Sequence, residues 1–553
     1  MYMEWLALLL LTVVFIFITI YVGKYLYSIL FNTKSFVDLV MDKIDNAIYK
    51  LSGVKGKDMD WKQYIVALLV TNGVMLVAGF TLLMVQQYIV GSSAERLDMN
   101  WHTAFNTAIS FMTNTNLQDY TGELHLTNIT QMIVITVYMF TSAATGFAIC
   151  GAFIKGITGH SMGNFYRDLT RIITRLLIPV SIIASVIMIG QGVPQTLEAH
   201  KVVQTLEGGV QTLALGPVAS LESIKHLGTN GGGFFGANSA HPFENPTPIT
   251  NMLEILLMMF TSGAYCYVFG KACKNKKQGW AIFGAALILF LLVIPVIYNA
   301  ELAGNPAINQ LGITNTIGNM EGKEVRNGIF DSSLFTVVTT SFTTGSVNNM
   351  HDSLTPIGGA VPMWNMMLNC VFGGKGVGFI NLIIYAMLGV FICGLMVGRT
   401  PEFLRRKIEG KEMKLIAAAI LIHPIAILVP TAIAVAAGTG SLDGYHGFSQ
   451  MLYQFVTSAA NNGSGFEGLA DATMFWNVAA GIVMLIGRYT SMILLLAVAG
   501  SMMKKTQVPE TSVAFRTDTG LFVGVLVATI LIIGALTFLP VLVLGPGAEF
   551  LTM

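Results

Sequence analysis

The sequence predicts an all-α membrane protein with ten transmembrane helices, four helix–pore-helix–helix repeats around a central pore, and one extra helix at each end. Of its 553 residues, 54% are hydrophobic and only 11% are charged, a composition typical of polytopic membrane proteins. Apolar runs of membrane-spanning length recur along the chain. Four short polar segments, most of which contain glycine, interrupt these runs at intervals of about 115 residues, which indicates fourfold internal duplication.

Ten apolar segments are assigned as membrane spans. They cover 4–29, 64–90, 128–154, 173–193, 248–270, 279–299, 361–398, 415–438, 473–500 and 520–545. The first lacks a small-residue cleavage site, which favours a retained helix over a signal peptide. The segment 361–398 is too long for one crossing, so we expect its glycines to divide it into two halves.

The repeats divide the chain into six parts. Residues 1–62 hold the first transmembrane helix and a cytoplasmic loop, and 506–553 hold the last helix. The four pore repeats between them cover 63–160, 161–277, 278–412 and 413–505.

Lysine and arginine placement predicts the orientation of the spans. Most of the 31 basic residues fall in alternate loops, for example Lys43, Lys276 and Arg406. The positive-inside rule makes these loops cytoplasmic, which places both termini outside.

Each repeat also contains a shorter apolar stretch directly before its polar segment. These stretches are Trp101–Met112, Leu215–Gly228, Asp331–Phe342 and Phe448–Ala460. About a dozen residues form a helix of some 18 Å, which is too short for a hydrocarbon core of about 30 Å. They are therefore predicted to be re-entrant pore helices, and Asp331-Ser332-Ser333 is predicted to cap the third. Their carboxyl ends carry partial negative charge and favour a cation.

The polar segments that follow these stretches are candidate filter segments. Their residues are Thr113, Asn114, Thr115 and Asn116; Thr229, Asn230, Gly231, Gly232 and Gly233; Thr343, Thr344, Gly345 and Ser346; and Asn461, Asn462, Gly463 and Ser464. Any one of them is compatible with an ordinary polar loop, but four in register after short apolar helices favour a ring of backbone carbonyls around a monovalent cation. The absence of a carboxylate ring disfavours a divalent ion, so K⁺ is the expected transported ion. Gln118 is expected to shape the outer mouth.

Several other functions are disfavoured by composition and motifs. The net charge of +1 and the absence of a long basic run disfavour nucleic acid as a partner. The five cysteines are scattered without ligand spacing, so we interpret them as lone buried thiols. The sequence has neither a GxxxxGK[ST] loop nor an Asp-Lys-Thr-Gly run, so no nucleotide site or catalytic residue is expected on this chain.

The residues around the second segment resemble a known family. The run from Asn230 to Pro246, together with Met350–Thr355, Gly398–Glu402 and Ser458–Ser464, is similar to the potassium-binding subunit of bacterial Kdp-type potassium-transporting ATPases. The similarity runs essentially end to end. It implies a channel-like subunit of the superfamily of potassium transporters, in the bacterial plasma membrane.

The resemblance also implies partner subunits and a role for particular backbone carbonyls. The implied partners are a P-type ATPase catalytic subunit, a single-span accessory subunit, often a small single-helix peptide, and membrane lipid. ATP hydrolysis would then occur on another chain. The third segment differs from the serine-cysteine-glycine form of the family, so the resemblance implies a role for the carbonyls of Thr343 and Thr344 rather than for their side chains.

Two cations within apolar segments are candidates for a gate or barrier. Lys375 lies among glycines that include Gly374 and Gly376; it is either part of a flexible kink or a charge that keeps ions from leaking inward. Arg488 is either held by carbonyls between packed helices or forms an electrostatic barrier or a subunit contact. Arg399 is interpreted as an anchor at a helix end.

Acidic residues and two histidines complete the outer loops. Most of the acids are interpreted as solvated loop charges that concentrate cations at the mouth: Glu95, Asp98, Asp119, Glu123, Glu244, Glu301, Glu321 and Glu324. His241 and His351 follow the second and third segments. Neither has a histidine or cysteine at ligand spacing, so both are expected to form hydrogen bonds rather than hold a metal.

The sequence thus predicts a potassium-binding and translocating subunit of an ATP-driven importer. The alternative is a self-sufficient potassium channel or an ion-coupled potassium transporter with the same architecture. A structural scaffold would not explain the repeated polar segments.

Overall fold

The computed structural model describes residues 2–35, 37–89, 99–312, 317–374, 376–398, 400–509 and 515–553. Within these ranges, ten helices are long and apolar enough to cross a membrane. They are Tyr2–Leu30, Trp61–Tyr88, Asn128–Thr158, Phe165–Gly190, Pro248–Ala272, Lys276–Ile308, Val377–Met396, Gly410–Ala436, Met474–Met503 and Gly520–Thr552. The all-helical fold with ten spans is confirmed. The fourth helix begins at Phe165, earlier than the predicted 173, because Asn164 accepts hydrogen bonds from the backbone N–H groups of Tyr166 and Arg167.

The long apolar segment of the third repeat is divided, as predicted. One helix covers Pro356–Leu368 and the next covers Val377–Met396. The backbone turns sharply between them, where Gly373 has φ +64° and a Cβ at that position would overlap the Cα of Gly378. The corresponding part of the second repeat is also broken, into Pro248–Met259 and Ser262–Ala272.

Short helices lie at all four places predicted for pore helices. They are Trp101–Met112, Val218–Leu227, Gly328–Ser341 and Gly444–Ala460. The predicted cap of the third is wrong. Because the helix begins at Gly328, Asp331 lies within its first turn, and the residue at the cap position, Asn327, makes no side-chain capping bond.

The packing of the pore helices closes the four repeats into a ring. Each packs against the spanning helix that precedes it in its own repeat and against the second spanning helix of the preceding repeat. Trp101–Met112, for example, contacts Trp61–Val85 of the first repeat and Met474–Leu485 of the fourth. The first repeat therefore follows the fourth around a common axis, although the two are far apart in sequence.

The two extra helices pack on the outside of this ring through glycines. The first helix lies against Ser262–Ala272, and a Cβ at Gly23 would come within 2.7 Å of the Tyr267 side chain. The last, Gly520–Leu542, lies against Lys276–Ala303, and its Gly534 faces Leu368 and Trp364. Small residues at such contacts allow helices in a membrane to approach closely.

Some elements were not foreseen. The loop from Asn32 to Trp61 contains the helix Asp38–Ser52, which is attached to the core because Arg175 forms ion pairs with Asp38, Asp42 and Asp45. A hairpin of His200–Gln204 and Val210–Ala214 precedes the second pore helix. The remaining short elements are Gly122–His125, Asn238–Ala240, Pro306–Gln310, His351–Ser353, Glu402–Phe403, Arg406–Lys407 and Ala548–Thr552. All five cysteines lie in the described residues and are free.

Candidate functional site

The four candidate filter segments meet on the axis of the ring. A Cβ at Gly231 would lie 2.7 Å from the carbonyl oxygen of Thr115 and 2.9 Å from that of Asn462. A Cβ at Gly345 would overlap the Asn462 carbonyl, and one at Gly463 would overlap the Thr115 carbonyl. Backbone from all four segments therefore lies within van der Waals contact, and the close approach requires glycine at these positions.

The backbone of each segment changes handedness repeatedly. The residue at or just after the end of each pore helix has positive φ: Asn114 at 63°, Thr229 at 45°, Thr343 at 50° and Asn461 at 54°. Positive φ recurs at a later position of each segment, at Asn116, Gly232, Gly345 and Gly463. Alternation of right- and left-handed residues turns successive carbonyl groups toward one side of the chain. Threonine rarely adopts positive φ, so Thr229 and Thr343 hold strained backbone of the kind that concentrates at functional sites.

Amide side chains fasten neighbouring segments to each other and to the helices behind them. Asn114 Nδ2 donates to the carbonyl oxygen of Thr229 at 2.7 Å, and Asn461 Nδ2 donates to Thr115 Oγ1 at 2.9 Å. Asn462 Nδ2 donates to Thr339 O at 2.9 Å. Because these bonds bridge different repeats, they fix the separation of the segments.

The other side chains of the segments differ in their partners. Asn230 Nδ2 donates to Ile224 O in its own pore helix at 3.3 Å and to Met139 O of the first repeat at 3.4 Å, whereas Ser464 Oγ bonds to Asn462 Oδ1 within its own segment. Thr113 Oγ1 lies 2.8 Å from Thr115 Oγ1. The Oγ1 atoms of Thr343 and Thr344 and the side-chain amide of Asn116 are buried without a hydrogen-bond partner among the described residues.

Loops of the first, second and fourth repeats meet around Gln118, just beyond the first candidate filter segment. Gln118 forms two hydrogen bonds with Gly233, accepting from its N–H at 2.8 Å and donating to its carbonyl at 3.1 Å. The next residue, Asp119, lies beside Asp471. Burial raises the pKa of both carboxyls, that of Asp471 to about 6.

A small cavity lies at the opposite ends of the segments, next to the carboxyl ends of the pore helices. Its volume is about 40 Å³, and its lining includes Asn114, Thr343, Asn461, Gly374 and Arg488. It exceeds the 10–15 Å³ or so that a water molecule needs. The cavity therefore has room for a small hydrated species directly below the segments.

The Arg488 side chain is buried beside this cavity. It lies on a π-helical turn, Ile486–Thr490, and Nη2 donates to the carbonyl oxygen of Ser142 at 3.4 Å. No ion pair to a carboxylate is found for Arg488 within the described residues. The buried guanidinium therefore lines the cavity next to Asn461 and Thr343.

Gly374 and Gly376, near the cavity, lie close to residues of other elements. A Cβ at Gly374 would lie 3.2 Å from the Thr343 carbonyl oxygen. Gly376 has φ +83° and faces Gly146 and Cys150. Lys375 and Arg399, which the sequence analysis singled out, lie outside the described residues.

Comparison with known proteins agrees with this architecture. The family model of the potassium-transporting ATPase A subunit matches residues 9–551. The chain belongs to the potassium-transporting ATPase A subunit family. Among curated members, the potassium-transporting ATPase potassium-binding subunit of Geobacillus kaustophilus is 55% identical over 545 residues, which is 97% of each chain. That of Clostridium acetobutylicum is also 55% identical, over 557 residues and 100% of both chains.

A solved structure shares the fold of this A-subunit family member. The potassium transporter TrkH from Vibrio parahaemolyticus matches with a TM-score of 0.54 over 88% of this chain and 97% of the other, at 12% identity. At that identity, the similarity concerns the fold alone.

Two acids that the sequence analysis placed among solvated loop charges are fully buried in this family member. Glu244 pairs with Lys225 at 2.8 Å, and Glu301 pairs with Lys323 at 2.7 Å. The interpretation of these two as solvated charges is wrong, because each finds a buried ammonium that only the fold brings close. It is also wrong for Asp119, whose carboxyl oxygens are buried beside Asp471. Glu95 and Asp98 lie outside the described residues.

Both histidines that follow segments form hydrogen bonds, as predicted. His241 accepts from the Phe243 N–H and stacks on Phe235. His351 Nδ1 lies 2.8 Å from the Tyr453 hydroxyl, which in turn contacts Ser464 Oγ at 2.8 Å. Burial, assisted by the charge of Lys323, lowers the pKa of His351 to about 3, so its ring is neutral.

The sequence analysis missed a second group of buried residues behind the second pore helix. Glu222, His226 and Glu254 bring three potential ligand atoms within 4.8 Å of one another. Glu222 and His226 are four residues apart on one helix, which was a detectable signal. Glu254 lies on another helix, and nothing in the spacing pointed to it.

Proposed function

We propose that this chain is the potassium-binding and translocating subunit of an ATP-driven importer. In this proposal, backbone carbonyls of the four candidate filter segments replace the hydration shell of K⁺. The observation that carries the proposal is the convergence of Thr115, Gly231, Gly345 and Asn462 on one axis, with backbone of alternating handedness. Membership of the A subunit family supports K⁺ as the ion, as do the names of both relatives.

The chemistry of the segments suits a monovalent cation. Asp and Glu are absent from all four segments, so the negative potential comes from carbonyl dipoles and from the carboxyl ends of the pore helices. Neutral dipoles attract a weakly hydrated ion such as K⁺ more readily than a divalent ion, which demands charged oxygen ligands.

Below the segments, Arg488 acts as an electrostatic barrier. A K⁺ ion that reaches the cavity meets a buried guanidinium, and repulsion opposes direct passage to the cytoplasm. The ion then passes toward a P-type ATPase subunit, where ATP is hydrolysed. The single-span accessory subunit and the small helical peptide belong to the same proposal, as do the external termini and the repeat boundaries.

A glycine pair tests the filter. The Gly345→Ala variant places a methyl group against the Asn462 carbonyl at a position with φ +95°, whereas a methyl group at Gly465 would meet no atom within 4 Å. In the reconstituted ATPase complex, we expect Gly345→Ala to raise the K⁺ concentration for half-maximal ATPase activity at least tenfold. Gly465→Ala should leave it unchanged.

Two results would overturn the proposal or replace it. An unchanged K⁺ dependence in a folded Gly345→Ala complex would contradict the filter. Rapid K⁺ flux through the chain alone in liposomes, without any ATPase subunit, would favour the self-sufficient channel.

A further inference from the structure

A buried cluster of charged residues lies behind the second and third candidate filter segments. Glu222, Lys225 and His226 come from the second pore helix, and Glu254 comes from Pro248–Met259. Glu244 joins them from the loop after the second segment. The side chains of all five are fully buried.

The tautomer of His226 is set by its neighbour on the helix. Nδ1 lies 2.9 Å from the main-chain carbonyl oxygen of Glu222, which can only accept, so Nδ1 carries a proton. Nε2 lies 3.3 Å from a carboxylate oxygen of Glu254 and 2.9 Å from Ser346 Oγ. Yet neither oxygen of Glu254 accepts a hydrogen bond from the described residues. The lone pair on Nε2 therefore faces both the Ser346 hydroxyl and a carboxylate oxygen of Glu254, and a cation or a proton between the imidazole and this carboxylate would join them.

One lysine faces three glutamates in this cluster. Lys225 pairs with Glu222 at 2.5 Å and with Glu244 at 2.8 Å, and its remaining contacts are with Asn238 and Ser239. If all three glutamates were ionised, one lysine would leave two negative charges uncompensated in the interior, where such charge is costly. One divalent cation would cancel them.

The geometry suits a metal ion. Glu222, His226 and Glu254 each offer one ligand atom, all within 4.8 Å of one another. Ligands bound at about 2.0–2.2 Å with a near-tetrahedral angle lie roughly 3.3 Å apart, and His226 Nε2 and Glu254 are separated by 3.3 Å. The bond from His226 Nδ1 to a carbonyl is the type of contact that orients a metal-binding histidine.

We propose that Glu222, His226 and Glu254 bind a divalent transition-metal ion such as Zn²⁺. One imidazole nitrogen and two carboxylate oxygens are ligands typical of such ions, whereas K⁺ prefers an all-oxygen environment. Because His226 also contacts Ser346, the ion would brace the third candidate filter segment from behind. This site is separate from the proposed K⁺ pathway.

Metal analysis of the intact ATPase complex tests the proposal. The purified complex is treated with a chelator, equilibrated with Zn²⁺, dialysed and analysed by mass spectrometry of the elements. We expect about one Zn²⁺ for each copy of this chain, and Co²⁺ in its place should give the visible absorption of a four- or five-coordinate ion. Glu254→Gln should weaken Zn²⁺ binding at least tenfold, and the exposed control Glu207→Gln should bind as the unmodified complex does.

If the unmodified complex retains no Zn²⁺ at micromolar free metal, the proposed metal site is wrong. Equal retention by the unmodified complex and by Glu254→Gln would also overturn the proposal. If Glu254→Gln does not fold, His226→Asn provides the same comparison. An infrared carbonyl band of a protonated carboxyl that disappears in Glu254→Gln, without bound metal, would identify a proton in place of the ion.

Discussion

Asn114 donates a hydrogen bond from Nδ2 to the carbonyl oxygen of Thr229 at 2.7 Å. The two residues occupy equivalent positions in successive repeats, because each is the first residue with positive φ after its pore helix. The same side chain accepts from Ser142 Oγ at 3.0 Å. Asn114 thus joins the first candidate filter segment to the second and to a spanning helix. The position of one carbonyl depends directly on a side chain from the neighbouring repeat.

Replacing Asn114 by alanine is expected to weaken K⁺ binding. Loss of a buried hydrogen bond costs about 1–3 kcal/mol, and the freed Thr229 carbonyl would no longer be held in place. We expect the K⁺ concentration for half-maximal ATPase activity to rise about tenfold or more, since 1.4 kcal/mol corresponds to roughly a factor of ten. Asn128→Ala, which removes long hydrogen bonds at the exposed surface, is the control. Equal K⁺ dependence of the two variants would contradict the assigned role.

The proposed barrier role of Arg488 predicts that its loss lets K⁺ leak across the membrane. Arg488→Gln removes the positive charge at the cavity while keeping a long polar side chain. An ion about 4 Å from a unit charge gains or loses several kcal/mol at an effective dielectric constant near 20, so passive K⁺ flux should rise at least tenfold. Flux is measured in liposomes that contain the complex without ATP.

Arg488→Lys keeps the positive charge and is the matched control; its passive K⁺ flux should stay as low as that of the unmodified complex. If the passive K⁺ flux of Arg488→Gln were equally low, the guanidinium would serve only to hold the Ser142 carbonyl. That outcome would support the simpler interpretation of a cation held between packed helices.

How much the sequence could predict depends on whether the interaction is local. The helix Trp101–Met112 was predicted with its observed bounds because an apolar run and the following polar residues define both ends. Glu301 could not be recognised as buried, because a glutamate after an apolar span resembles any solvated loop charge. Its partner Lys323 becomes adjacent only after the loop between them folds back.

In the candidate site, too, local features could be predicted from the sequence and contacts between distant residues could not. The glycines and asparagines of the segments could be found from composition and spacing alone. The contacts that fix their separation, such as Asn461 with Thr115, join the fourth repeat to the first and depend on closure of the ring. The candidate metal ligands His226 and Glu254 were missed for a similar reason, because the two residues lie on different helices.

The carboxyls of Asp119 and Asp471 predict a pH dependence of K⁺ uptake at the proposed outer mouth. Burial raises the pKa of both, that of Asp471 to about 6. As the external pH falls through 6, Asp471 therefore gains a proton, and the mouth loses negative charge that attracts cations. We expect the K⁺ concentration for half-maximal activity to increase two- to threefold between pH 7.5 and 5.5.

Asp471→Asn should abolish most of this pH dependence, because its side chain is neutral throughout the range. Asp443→Asn, at an exposed position near the fourth pore helix, is the control and should keep the dependence. Parallel pH curves for Asp471→Asn and the unmodified complex would exclude the acid pair as their origin.

The buried pair of Glu301 and Lys323 predicts a large effect on stability. Glu301 Oε1 accepts from the N–H and the hydroxyl of Thr355, at 2.8 and 2.7 Å. Its Oε2 accepts from Lys323 Nζ at 2.7 Å and from Asn319 Nδ2 at 2.8 Å. One carboxylate thus connects the end of a spanning helix to the loops on both sides of the third pore helix.

Glu301→Gln removes the negative charge and leaves the Lys323 ammonium buried without its counter-ion. Breaking such a pair from one side typically costs about 3–5 kcal/mol. We expect the purified protein to unfold at clearly lower temperature, whereas Glu321→Gln at the exposed surface should have little effect. Adding Lys323→Met to Glu301→Gln should recover part of the loss, because the second change removes the unpaired charge. If the double variant were as unstable as Glu301→Gln alone, the hydrogen bonds to Thr355 and Asn319 would account for the stability in place of the ion pair.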